Sequence, residues 1–140
     1  MHYETFIPGI PAPQGSKTVY GGRAVEANPR TKQWREVMRK HHLKTSQALG
    51  APLILGPFQA SLRFVFTEPK SGALFQGNLE PIHAVKPDID KLTRAVMDSL
   101  TSGGIIEDDA RCHHLEATKE YGENPGVHIH LTQIFNERKR

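Results

Sequence analysis

All five aspartates of the chain fall between positions 88 and 109: Asp88, Asp90, Asp98, Asp108 and Asp109. Lys86-Pro87-Asp88-Ile89-Asp90 sets two carboxylates one residue apart, directly after a proline that stiffens the approach. In an extended segment residues i and i+2 project to the same side, so both carboxylates can face one point. Asp109 follows 19 positions after Asp90, by way of a predicted helix, a glycine pair and a short apolar stretch. That path can bring a third carboxylate back to the pair. Three carboxylates at one point repel each other unless a cation sits among them. Hard oxygen donors with room for water and phosphate suit Mg²⁺, with Mn²⁺ as a substitute. The same residues also have a plainer reading, in which Asp88 or Asp90 caps a helix and Glu107-Asp108-Asp109 is a solvated turn.

The elements that must position these residues are legible in outline. Residues 3–10 predict a short strand stopped by Pro11-Ala12-Pro13, because proline removes a ladder donor. Gln14 to Asn28 is basic and glycine-punctuated, with Gly21-Gly22 as a hairpin turn. Helical spacing over Thr31–Leu49 picks out Trp34, Val37, Met38, His41, Thr45, Ala48 and Leu49 as the inward stripe. From Pro57 to Thr67, Phe58, Ala60, Leu62, Phe64 and Phe66 alternate with Gln59, Ser61 and Arg63, the pattern of a half-buried strand. Glu68 to Val85 reads as a long polar loop. Asp90 to Leu100 predicts a helix with Leu92, Ala95, Val96 and Leu100 inward and Asp90, Arg94 and Asp98 on the polar face, stopped by Gly103-Gly104. His113–Tyr121 and Val127–Ile134 predict two further strands. The expected architecture is α+β, a mixed or antiparallel sheet packed with two main helices, in a single domain spanning 1–140.

Composition narrows the class. A chain of 140 residues, 37% hydrophobic and 24% charged, can bury one core, which excludes wholesale disorder. Apolar runs such as 51–56 fall far short of the roughly 18 residues that cross a bilayer, so no membrane partner is expected. One cysteine, Cys112, forms no internal disulfide and suits a reducing cytoplasm. It reads as a small residue at a strand start. Lysine and arginine outnumber acidic residues 18 to 15, a mild lean toward polyanions. His128 and His130 on one strand face make at most half of a zinc site, and His83 stands near Lys86 as a possible phosphate contact. Trp34, Phe58, Phe64 and Phe66 are expected in the core rather than as base-stacking surfaces.

The stretch KPDIDKLTRAVMDSLTSGGIIEDDARCHHLEATKEYG carries a family resemblance. Pro87-Asp88-Ile89-Asp90-Lys91-Leu92, then Asp98-Ser99-Leu100, Asp108-Asp109 and Lys119-Glu120-Tyr121 resemble, in order, the motifs of the RusA family of Holliday junction resolvases, small endonucleases frequent in bacteriophages and prophages. Residues 57–122 match well, and Gly9–Lys17 resembles the family's first strand and basic loop more loosely. The resemblance implies a RusA-like fold and a homodimeric, Mg²⁺-dependent nuclease of DNA recombination and repair that nicks a four-way junction symmetrically. It implies Asp88, Asp90 and Asp109 as metal-binding and catalytic residues, with Asp108 orienting its neighbour. The family's catalytic lysine falls one helical turn past the second aspartate, where this chain has Arg94. A guanidinium can hold a phosphate or stabilise charge but cannot carry a proton near neutral pH. DNA that approaches an acidic pocket needs flanking cations, for which Lys17, Arg23, Arg30, Lys70, Lys86, Lys91 and Lys119 are the candidates. Two other readings predict different outcomes: a non-catalytic DNA-binding module, and a metal-dependent nuclease for other branched DNA.

Overall fold

The computed structural model describes residues 1–14, 17–20, 23–26, 29–69 and 81–135, with side chains for 1–14, 29–69 and 81–135. Among the described residues, six strands and two helices follow in the order β1 (His2–Pro8), β2 (Lys17–Tyr20), β3 (Arg23–Glu26), α1 (Pro29–Leu49), β4 (Phe58–Phe66), α2 (Ile89–Ser102), β5 (Cys112–Tyr121) and β6 (Gly126–Gln133). A short 3-10 turn, Asp109–Arg111, leads into β5. The main sheet has the order β1-β6-β4-β5, while β2 and β3 form a separate antiparallel pair. The sheet is mixed: β6 is antiparallel to both β1 and β4, and β4 is parallel to β5. This is the α+β arrangement expected from the sequence.

Both helices pack on one face of the sheet. Phe58, Leu62 and Phe64 of β4, Val127, Ile129 and Leu131 of β6, and Ile7 of β1 share one core with Trp34 and Met38 of α1 and Leu92, Val96 and Leu100 of α2. Each large side chain buried there contributes about 1.5–3 kcal/mol relative to exposure. The opposite face carries Glu4, Ser61, Arg63, His128 and His130, and among the described residues no helix covers it.

The inward stripe of α1 departs from expectation. Val37 and Leu49 are exposed, at 47% and 69%, while Thr31, His42 and Ser46 are buried with Trp34 and Met38. The helix is turned so that polar residues meet polar partners. Buried His42 accepts at Nδ1 from the Tyr3 hydroxyl (2.7 Å) and lies 3.2 Å from the Ser99 hydroxyl through Nε2. Ser46 donates to the Gly103 carbonyl at 2.7 Å. Gly103 permits this closeness, since a Cβ there would stand 2.5 Å from that of His42. The network ties the C-terminal end of α2 to α1 and β1.

The parallel β4–β5 pair determines where the ends of α2 fall. A chain that leaves one strand and re-enters beside it in the same direction must run back between them. The head of α2 therefore lies at the carboxyl ends of β4 and β5, and its C-terminal end lies at their starts. Contacts at both ends agree. Lys119, near the end of β5, donates to the carbonyls of Val85 and Pro87 just before the helix. After the helix, Ile106 bridges Ile54 in the approach to β4.

Candidate active site

Asp88 occupies the N-cap position of α2 with extended backbone angles, yet its side chain makes no capping hydrogen bond. That removes the plainer reading for Asp88. Its backbone carbonyl accepts from Leu92 N–H at 3.1 Å, the first bond of the helix. The carboxylate is half-exposed and faces Lys91 Nζ at 3.5 Å. Asp90 lies exposed in the first turn, where the positive end of the helix dipole favours a carboxylate. The approach to the pair is held by Lys119, whose ammonium donates to Val85 O at 2.6 Å and Pro87 O at 2.9 Å.

A cavity of about 390 Å³ opens beside Asp88. Arg30, Lys86 and Lys91 supply cations around it, and Pro11, Pro13 and Phe66 supply apolar walls. Residues 10–14 are drawn to this place by Gln14 N–H, which donates to Lys91 O at 3.0 Å. A carboxylate ringed by cations can take a phosphodiester without net repulsion.

Several expected residues stand here, each in its own way. Lys86 is exposed and lines the cavity. Lys91 pairs with Asp88, and Lys119 acts as a tether beneath it. Arg94 is exposed, one turn past Asp90, with no ion pair among the described residues. Lys17 and Arg23 lie on β2 and β3, with side chains outside the described residues, as does Lys70 altogether. The Gly21-Gly22 turn and most of the 68–85 loop also fall outside them.

Asp109 stands apart. It lies in the turn before β5, and the charge of Asp98 acts on it. Asp98 is eight positions past Asp90, about 12 Å of helix axis at ~1.5 Å per residue. Glu107 accepts from Gly56 N–H at 2.6 Å, and Asp108 accepts from Ala110 N–H at 2.9 Å, so this turn is anchored by its own acids. The Ala110 N–H, then the Asp109 side chain, holds Asp108 below the usual carboxylate range. The shared hydrogen bond with Asp108 is the main cause that pushes Asp109 upward, followed by desolvation and the charges of Asp108 and Asp98.

The donor set decides what ion suits the head of α2. Two carboxylates, one of them unused as a cap, with water and phosphate to complete the shell, fit Mg²⁺, which is often held by one or two protein carboxylates. Among the described residues no group of three or more His, Cys, Asp or Glu is gathered to hold an ion, so Asp109 adds no third donor within one chain. The same holds for His128 and His130.

His83 is 6% exposed and lies between Phe66 and Tyr121, with ring centroids 4.6 Å away on each side. It is a packing residue beneath the approach to Asp88, not a phosphate contact. Desolvation, then Lys119, lowers its pKa. Cys112 opens β5, half-buried, with its thiol pushed up by desolvation. Sequence reasoning missed the apolar walls Pro11, Pro13 and Phe66; the prolines had marked only the end of a strand.

A family model described as Endodeoxyribonuclease RusA matches residues 8–132. None of the curated proteins matches the chain. No helix among the described residues is long and apolar enough to cross a membrane.

Proposed function

The chain belongs to the RusA endodeoxyribonuclease family, and from that premise we propose that it is a homodimeric, Mg²⁺-dependent nuclease that resolves four-way DNA junctions by paired, symmetric nicks. The observation that carries this reading is the Asp88 carboxylate, placed at a helix head and left uncapped beside a cation-ringed cavity. Asp88 and Asp90 would hold Mg²⁺, or Mn²⁺ in its place. When bound, the ion supplies a Lewis acid for phosphate and a water of lowered pKa.

The rest of the work falls to the chain's own groups. Lys91 orients the Asp88 carboxylate through their ion pair. Lys86 and Arg30 neutralise the approaching backbone at the cavity mouth. Arg94 offers forked N–H donors to a non-bridging phosphate oxygen and stabilises charge as it develops there. Proton transfer is left to solvent, since a guanidinium is no proton carrier near neutral pH. Two-fold symmetry of the junction favours a two-fold enzyme. Action on DNA in recombination and repair accords with a cytoplasmic setting.

Cleavage mapping on synthetic DNA tests the reading. Paired nicks at symmetric positions on a four-way junction with Mg²⁺, and affinity that falls steeply with salt, are expected. Junction binding without cleavage would assign a DNA-binding module instead, and single nicks on flaps a nuclease for other branched DNA.

A further inference from the structure

The cavity beside Asp88 is mostly apolar, and the nuclease chemistry uses only its charged rim. Ile10, Pro11, Ala12, Pro13, Phe66 and Pro87 line it, against the cations Arg30, Lys86 and Lys91. Ile10 is 64% exposed there, and the exposed Val85 and Ile89 flank the Lys86-Pro87-Asp88 segment. A phosphate is held by cations and needs no apolar wall. An intact duplex keeps its bases stacked inside and turns its phosphates outward, so it leaves such a wall in water. Apolar surface rimmed by polar groups marks a place that a ligand covers.

We propose that this wall is a subsite for an unstacked base of the junction, on the nucleotide whose phosphate reaches Asp88, and that it selects branched DNA over linear duplex. The inference rests on the nuclease reading and names what that site recognises besides phosphate.

The fit is between two amphipathic partners. A nucleotide out of the stack offers two apolar ring faces at one end and an anion at the other. The cavity offers Ile10, Pro11, Pro13 and Phe66 for the ring and Arg30, Lys86 and Lys91 for the phosphate. Its volume of about 390 Å³ falls within the ~300–1,000 Å³ of small-molecule sites. Aromatic and apolar side chains hold extruded bases in the same way elsewhere. Extrusion costs least for a base that is already unpaired or poorly stacked, which is what a branch point supplies. Every base has an apolar face, so such a wall discriminates by structure before sequence.

The wall is built before DNA arrives. Gln14 N–H donates to Lys91 O at 3.0 Å, Gly9 N–H to Pro125 O at 3.1 Å and the Thr31 hydroxyl to Pro13 O at 2.6 Å. Phe66 rests against His83, which rests in turn against Tyr121, each with ring centroids 4.6 Å apart. The rings of Pro11, Pro13 and Pro87 fix the backbone around the opening. Little freedom remains to be lost when a base enters, so the contact is not offset by ordering.

Base removal read against a wall substitution tests the subsite. Four-way junctions with one abasic nucleotide, placed in turn at the four positions nearest the branch point of one strand, are titrated without Mg²⁺ against wild type and Ile10→Ser. At one position base removal should weaken wild-type binding about 10-fold, in line with the loss of one stacked base. Ile10→Ser should bind the intact junction more weakly than wild type, lose less on the same base removal because part of the wall is already gone, and bind linear duplex as wild type does. Equal losses in the two proteins, or no position at which base removal matters, overturn the subsite. A changed sedimentation mass for Ile10→Ser assigns the wall to a protein interface and overturns it as well. Nicking with Mg²⁺ keeps the two readings apart. Base-dependent binding without nicking supports the subsite and refutes the nuclease, nicking indifferent to base removal and to Ile10→Ser refutes the subsite alone, and a wild type that binds no junction refutes both.

Discussion

The two ends of α2 are both acidic, but the acids do different work. At the head, Asp88 leaves its helix uncapped, faces Lys91 at 3.5 Å and borders a cavity ringed by cations. At the far end, Glu107 and Asp108 are committed to backbone N–H groups, and Asp109 shares a hydrogen bond with its neighbour. The supports differ as well. The head is held from beneath by one lysine on two carbonyls, whereas the far end is held by the buried Tyr3–His42–Ser99 chain. Glu107 and Asp108 each give a carboxylate oxygen to the fold, whereas Asp88 makes no such commitment. The difference teaches that charge at a helix end marks a site only after its hydrogen bonds have been accounted for.

The sharpest way to break the comparison is to attack the far end's support. His42→Leu strands the Tyr3 hydroxyl in the core and should cost about 1–3 kcal/mol in chemical denaturation, with junction affinity at the head unchanged. The same histidine gives the protein an acid limit. Its pKa is lowered from 6.5 to about 3, by desolvation first and the charge of His41 second. The unfolded chain therefore takes up this proton near pH 6.5 while the folded chain resists it until about 3. Stability contributed by His42 is present above that window and is lost as pH falls through it, by up to about 1.4 kcal/mol per pH unit. Urea midpoints measured from pH 7 to 4 should fall in the wild type and flatten in His42→Leu.

At the head, Lys119→Met frees the carbonyls of Val85 and Pro87 and loosens the approach to Asp88. Nicking should fall about 10-fold, in line with the sensitivity of catalysis to small misplacements, while the urea midpoint stays close to wild type. Equal losses of stability and nicking would erase the distinction between the two supports. The smallest effect is expected at the turn. Asp108→Asn keeps an acceptor for Ala110 N–H but removes a charge beside Asp109, so the Asp109 carboxyl should titrate at lower pH in carbon-detected NMR.

Strong alternation made β4 legible from its residues, and its inward set Phe58, Ala60, Leu62 and Phe64 is buried as the period of two requires. The phase of α1 was not legible, because hydrophobic periodicity weighs apolar residues and this helix turns inward on Thr31, His42 and Ser46, whose partners lie on other elements. The head of α2 was legible from Pro87-Asp88-Ile89-Asp90, where all the information is local. Asp109 was not, since a glycine turn and a short strand specify a return without its direction. That direction depends on β4 and β5 being parallel, a long-range pairing that no local pattern announces. Lys119 likewise read as a DNA contact, and only the fold reveals it as the tether of the 85–87 segment.

The proposed nuclease site at the head of α2 depends on Asp88. It is tested most directly by titrating Mg²⁺ against the wild type and Asp88→Asn on a labelled four-way junction, with nicking and binding measured in the same samples. Nicking should drop by more than about 100-fold in Asp88→Asn, with binding equal to wild type or tighter because a negative charge is gone. Wild-type nicking by Asp88→Asn at any Mg²⁺ concentration would remove the head of α2 as the place of cleavage.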